Sequence, residues 1–294
     1  MPRLHCLLTP PTGSFLLSPS IEVIEYWHPN ILKGMELSRA RFRSFTFEKH
    51  VHLDYHIGAV SHGAQQYLHK GQHYQLTPNC LSTLNPDESH NGQSLDPNGY
   101  CAHVMSLPVD FVNNIATELK QTSLFFNAPI IEDRQLSQQF MRLHQLLTEK
   151  QHCASSLQTE TLLTAFVTEL FCRYASITEN KMPSKSLSLR QMDTIKQQLH
   201  EQLNANVELT SLANSIGLSK FQFLRQFKSA TGMTPHAYLT RLRLEYAKKA
   251  LIAGNTAIDT AYQVGFFDQS HFNKAFKRAF LTTPAHFQRK LIEV

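Results

Sequence analysis

The sequence predicts a multidomain α and β protein. An N-terminal β-barrel with trailing α-helices precedes an all-α C-terminal domain of two helix-turn-helix units joined by a long helix. Three observations predict this. A pattern in Leu209 to Ala230 recurs in Thr260 to Phe280 at a nearly fixed offset. Residues 39 to 107 alternate with period two between turn residues. From 108 to 177 the apolar residues recur at helical spacing.

Composition sets the bounds. A chain of 294 residues is long enough for two ordinary domains, and 42% hydrophobic content supports real cores. Five cysteines stand at 6, 80, 101, 153 and 172 with no CxxC pair, which suits a reducing cytoplasm. No apolar run reaches the roughly 20 residues needed to span a bilayer, so no membrane partner is expected. The net charge of +5 divides unevenly: residues 188 to 294 carry +7 and the rest −2. A basic C-terminal third fits a polyanion bound by one domain.

Residues 1 to about 35 are weakly patterned and predict a strand or two among loops. From Arg39, Phe42, Ser44 and Thr46 share one face, with Arg43, Phe45 and Phe47 on the other. Val51, Leu53 and Tyr55 then alternate with His50, His52, Asp54 and His56. Both runs predict strand. Gly58, Gly63, Gly71, Pro78 and Asn85-Pro86 punctuate the next stretch of chain at short intervals. The segments QQYLH and QHYQL around Gly71 predict a hairpin, and YCAHVMSL predicts a last strand. Many short strands with turns between them make a small barrel or jelly roll, taken as residues 1–107.

Residues 108–177 predict helices. Asp110 is placed to cap the first and Asp133 the second. Leu136, Phe140, Leu143 and Leu147 form one apolar stripe; Leu162, Phe166, Leu170 and Tyr174 (or Phe171) form another. Such stripes serve either the core or a second copy of the chain, and spacing alone does not choose between them. Residues 178–187 are polar, contain a proline and read as a linker.

The domain at 188–294 opens with a helix over Leu189 to Leu203. Ala213 lies four residues before Gly217, as Ala261 does before Gly265. Phe223 and Phe227 match Phe272 and Phe276 at an offset of 49, as Thr234-Pro235 matches Thr283-Pro284. The Ala and Gly pairs are offset by 48, so the second copy holds one extra residue after its glycine. A glycine admits the positive φ of a tight turn. Ser219 and Gln222 form a capping box, and the paired phenylalanines share a buried face. Thr234 and Pro235 begin a long connecting helix.

The run from Gly265 to Phe287 resembles the end of the DNA-binding domain of AraC/XylS-family bacterial transcription regulators. His50-x-His52 followed by Pro86-Asp87-Glu88-Ser89-His90 is similar, more loosely, to the cupin-like sensor domain of that family. The resemblance implies a sequence-specific DNA-binding transcriptional regulator and not an enzyme. It further implies activation, a small-molecule effector in the barrel, a homodimer, a cytoplasmic location and RNA polymerase as a partner.

On that reading, two exposed helices enter successive major grooves of double-stranded promoter DNA. Arg225 is placed for guanine and Phe221 and Leu224 for thymine methyls. Lys220 adds to the basic face. Gln269, Asn273 and Lys277 form the second stripe, with Ser270 and Lys274 beside it. Amides there match adenine, and Lys228 and Lys277 suit phosphates.

Eight of the sixteen histidines fall between 50 and 103. On one strand, His50, His52 and His56 would share a face, and His90 would stand on a neighbour. They either line an effector pocket without any cofactor or hold a divalent metal. The second option leaves an alternative function: a metal-dependent cupin enzyme or metal sensor with a DNA-binding tail.

Overall fold

Alternating burial and turn residues build the first part of the fold. The computed structural model describes residues 22–118, 124–148, 156–176, 187–205 and 207–292. The strands are β1 (Val23–Trp27), β2 (Glu36–Phe42), β3 (Phe47–His50), β4 (Tyr55–His62), β5 (Gln65–His69), β6 (Gln72–Leu76), β7 (Leu81–Leu84), β8 (His90–Ser94) and β9 (Tyr100–Leu107). Helix α1 (Val109–Glu118) comes next, then the short strands β10 (Phe125–Phe126) and β11 (Ile130–Ile131). Helices α2 (Arg134–Thr148) and α3 (Ser156–Tyr174) lead to β12 (Ala175–Ser176).

One antiparallel sheet has the order β1-β2-β9-β4-β7-β11 and a second has β3-β8-β5-β6. Phe42, Val60 and Tyr100 of the first sheet share a core with Tyr67 and Leu76 of the second. The other face of the large sheet packs Leu37, Ile57 and Met105 against Leu136, Phe140, Leu163 and Phe166 of the helices. The β5–β6 hairpin turns at Lys70 and Gly71, both with positive φ, which matches the twist of the flanking strands. Gly63 must be glycine: its φ is +73° and a Cβ would collide with the Gly99 carbonyl.

Several expectations change. The strand expected from Arg39 onward breaks after Phe42, because Glu22 captures the amides of Arg43, Ser44 and Phe45. Residues 51–54 form no strand, so His50, His52, Asp54 and His56 do not share one strand face. Val51 instead turns fully buried into the helical domain. Gly58 lies inside β4, where a side chain would meet Ser82. Asp110 is the second residue of α1 and not its cap, whereas Asp133 accepts the Leu136 amide at 2.9 Å. Leu162 is 45% exposed; Leu163, Phe166, Val167, Leu170 and Phe171 form the buried stripe of α3. Residues 1–21 and 177–186, which hold most of the linker, lie outside the described residues.

The C-terminal part contains α4 (Leu189–Glu201), α5 (Leu209–Ser215), α6 (Lys220–Thr231), α7 (Pro235–Ile252), α8 (Ala257–Gln263), α9 (Gln269–Phe280) and α10 (Pro284–Ile292). The bounds of α6 and α9 differ by 49 residues at both ends, and those of α5 and α8 by 48. Gly217 and Gly265 take φ of +70° and +85° in the two turns. The extra residue of the second unit is Phe267, which is 90% exposed. Helix α7 serves both units: Tyr238, Leu239 and Leu242 enter the first core, and Leu244, Ala247 and Leu251 the second. At 18 residues it is about 27 Å long.

Candidate DNA-reading helices and sensor cavity

Local chemistry fixes each candidate reading helix. The Ser219 hydroxyl accepts the Gln222 amide at 3.3 Å and the Gln222 side chain accepts the Ser219 amide at 3.0 Å, so α6 begins at a defined residue. The Asp268 carboxylate accepts the His271 amide at 2.7 Å and opens α9. Phe223 and Phe227 are fully buried, as are Phe272 and Phe276, which locks the rotation of each helix. Each helix therefore turns the opposite face to solvent.

On α6, Lys220, Arg225 and Lys228 are exposed and Leu224 is half-buried. The backbone of Phe221 lies in α6, but its side chain lies outside the described residues. On α9, Ser270, Lys274 and Lys277 are exposed, while Gln269 and Asn273 are half-buried beside the phenylalanine core. Lys274 and Lys277 are neighbours on the helix surface, three residues apart. Lys274, His271 and Arg278 line a groove whose opposite wall is β3 of the first domain. Arg278 forms an ion pair with Glu48 across it.

The domains meet along α7. The Arg241 guanidinium donates to the Val51 carbonyl at 3.0 Å and pairs with Glu245 at 2.6 Å. Lys248 pairs with Glu36 of β2 at 2.7 Å, and Glu36 also meets His28 at 3.0 Å. Tyr238 donates to Asp87 at 2.7 Å, and Lys196 and Lys249 pair with Asp87 and Asp54. Burial would lower the Lys248 pKa, but Glu36 and Glu245 outweigh it and hold the ammonium above its ordinary range. The charges are thus matched in pairs, which makes their burial tolerable.

These contacts close a cavity of about 150 Å³. Its barrel wall includes Tyr67, Tyr100 and the imidazoles of His50, His52, His56 and His90; its lid is Arg241, Lys248, Ala279 and Phe280. The four predicted histidines do converge, although not by strand alternation. His50 leaves β3, His52 sits in the connection, His56 opens in β4 and His90 starts β8. The His52 ring stacks on His56 at 3.6 Å and stands 4.8 and 5.1 Å from the rings of His50 and His90. Burial is the main reason that all four have lowered pKa values, with His90 at about 4. Each ring is therefore neutral at neutral pH.

Sequence reasoning missed the lid. Its signal is a charged stripe, Arg241, Glu245 and Lys248, at helical spacing along α7. Phe280 links this stripe to α9, because both cations sit 4.9 Å from its ring.

Comparison with known proteins agrees with both halves. The profile described as AraC-like ligand binding domain matches residues 32–167, and that described as helix-turn-helix domain matches residues 212–290. The chain is 28% identical over 260 residues to the HTH-type transcriptional activator RhaS of Yersinia pestis, covering 86% of this chain and 93% of that one. It is also 28% identical to YbfI, an HTH-type transcriptional regulator of Bacillus subtilis, over 76% of this chain and 81% of the relative. The fold is similar to that of ToxT from Vibrio cholerae, with a TM-score of 0.60 at 17% identity, covering 88% of this chain and 98% of ToxT. No helix among the described residues is long and apolar enough to cross a membrane. With a ligand-binding domain docked on a double helix-turn-helix domain, the chain belongs to the AraC/XylS family of DNA-binding transcriptional regulators.

Proposed function

We propose that this protein is a cytoplasmic activator that binds promoter half-sites as a homodimer and engages RNA polymerase there. Helices α6 and α9 read the DNA. Arg225 takes a guanine through its two-pronged guanidinium, with Phe221 and Leu224 against thymine methyls. Gln269, Ser270 and Asn273 meet base edges, and Lys274 joins them once β3 withdraws from its groove. Lys220, Lys228 and Lys277 hold phosphates. The naming of RhaS as an activator supports activation.

A small molecule in the cavity sets the response. One observation carries this part: the cavity is walled by the barrel but closed by Arg241, Lys248 and Phe280 of the DNA-binding domain. Any occupant touches both domains, so its binding energy depends on how they are docked. That dependence is the linkage an effector needs. A dimer then gains occupancy through the effective concentration of its second half-site.

The test is affinity for a genuine operator. Arg225→Ala and Lys274→Ala each lower it by about 1–3 kcal/mol. Unchanged binding in both variants removes the helix assignment. Sedimentation at working concentration reads the dimer directly.

A further inference from the structure

We propose that His50, His52 and His90 form a binding site for one borderline divalent transition metal, zinc(II), cobalt(II) or nickel(II), at the seam between the two domains. The inference rests on reading the cavity as the sensor site and names one class of ligand for it.

Each of the three histidines offers a nitrogen, and these nitrogens lie within 4.8 Å of one another. A tetrahedral zinc site with bonds of about 2.0–2.1 Å needs its nitrogens about 3.3 Å apart. Side-chain rotation must therefore draw the set together by about 1.5 Å at most. Three imidazoles without a thiolate suit zinc, cobalt or nickel and do not suit magnesium or calcium. A fourth position is left facing the cavity.

The outer hydrogen bonds fix which nitrogens are available on His50 and His90. His50 Nδ1 stands 2.7 Å from the Glu48 carbonyl, and His90 Nδ1 stands 3.2 Å from the Glu88 carbonyl. A carbonyl only accepts, so each Nδ1 carries the hydrogen and each Nε2 keeps its lone pair. His52 Nδ1 lies 3.6 Å from the Glu245 carboxylate and 3.4 Å from the Arg241 guanidinium. Arg241 can only donate, so His52 Nδ1 accepts in this structure; a metal on Nε2 requires the other tautomer, whose Nδ1–H turns from Arg241 to Glu245. Metal-binding histidines are held in this way, by an oxygen behind the ring. Arg241 does not oppose the ion with a free charge, since Glu245 neutralises it at 2.6 Å.

Position adds a consequence. One ligand ends β3, one lies in the β3–β4 connection, one begins β8, and the oxygen behind His52 belongs to α7. A bound ion would tie the barrel to the connecting helix of the DNA-binding domain.

The experiment uses full-length, tag-free protein titrated with cobalt(II) and, separately, with zinc(II). We expect one equivalent to bind, with the visible absorption of four-coordinate cobalt, and zinc to raise the thermal midpoint. His50→Gln and His90→Ala each weaken binding by at least roughly 10-fold, since even loss of an outer partner costs 10–100-fold. His73→Ala, an exposed residue on β6, leaves it unchanged. Equal binding by wild type and a His50→Gln/His90→Ala double variant, or no binding by wild type at millimolar metal, overturns the site. Operator affinity of the same preparations separates the outcomes. Metal-free protein that still binds operator loses only this inference, and metal-loaded protein that ignores DNA loses the reading beneath it.

Discussion

Lys248 of α7 and Glu36 of β2, 212 residues apart in sequence, meet at 2.7 Å with each side chain only 10% exposed. Removing one partner of such a pair strands a buried charge. Glu36→Gln should destabilise the docked protein by about 3 kcal/mol, because Glu245 at 3.6 Å remains as a weaker partner. Glu36→Gln/Lys248→Met should recover much of that loss. Urea unfolding of the single and double variants measures both.

The same pair gives an acid limb to stability. Burial would raise the Glu36 pKa, but Lys248 and His28 outweigh it and hold the carboxyl at about 2 instead of the ordinary 4.5. A depressed acid stabilises the fold fully above pH 4.5 and loses that contribution as pH falls toward 2. Glu88 behaves the same way through His69 and Lys70, also at about 2.

The histidine cluster acts earlier in a titration. His50, His52, His56 and His90 are neutral in the folded chain, with pKa values lowered below the ordinary 6.5. Below pH 6.5 the unfolded chain takes up protons that the folded chain refuses. Each histidine therefore removes up to about 1.4 kcal/mol per pH unit on acidification. The unfolding midpoint should drop between pH 6.5 and 5, and His90→Ala should shallow that drop.

Salt dependence separates the roles of the basic residues. Lys228→Ala and Lys277→Ala should weaken binding to all sequences alike and reduce the salt slope by about 1 each. Arg225→Ala should relax preference at one base pair. Anisotropy titrations on matched and mismatched operators at several salt concentrations read both effects.

Phe267 calls for its own variant. It is the extra residue of the second turn, stands 90% exposed and directly precedes the Asp268 cap of α9. Recognition helices present their N-terminal ends to bases. Phe267→Ala should lower operator affinity by about 1 kcal/mol through loss of an apolar contact with thymine and leave the thermal midpoint unchanged. A fall in the midpoint with no change in affinity would count against it.

The two helix-turn-helix units were legible because their determinants are local. A glycine, a cap and two phenylalanines lie within a dozen residues, and repetition at offset 49 removed the ambiguity of a single match. The hairpin at Gly71 was legible for the same reason. The turn at 51–54 was not. Alternation in HVHLDYH looks like a strand until Val51 is seen to be claimed by the core of another domain. Leu162 and Leu163 likewise cannot be ranked by spacing when the packing partner is unknown. The lid was hidden most completely: Glu36, Arg241 and Lys248 are ordinary surface residue types, and only docking buries them.

At the end of α6 the left-handed residue is Gly232, but at the matching end of α9 it is Leu281, with φ of 58°. A leucine held there carries a backbone cost of about 1 kcal/mol that glycine would avoid. Its half-buried side chain packs against the apolar core between the two sheets of the barrel. The duplicated halves are thus mechanically unequal. The tail of the second rod rests on the apolar interior of the sensor, whereas the first ends on a glycine beside the polar side chains of Ser89 and Lys49.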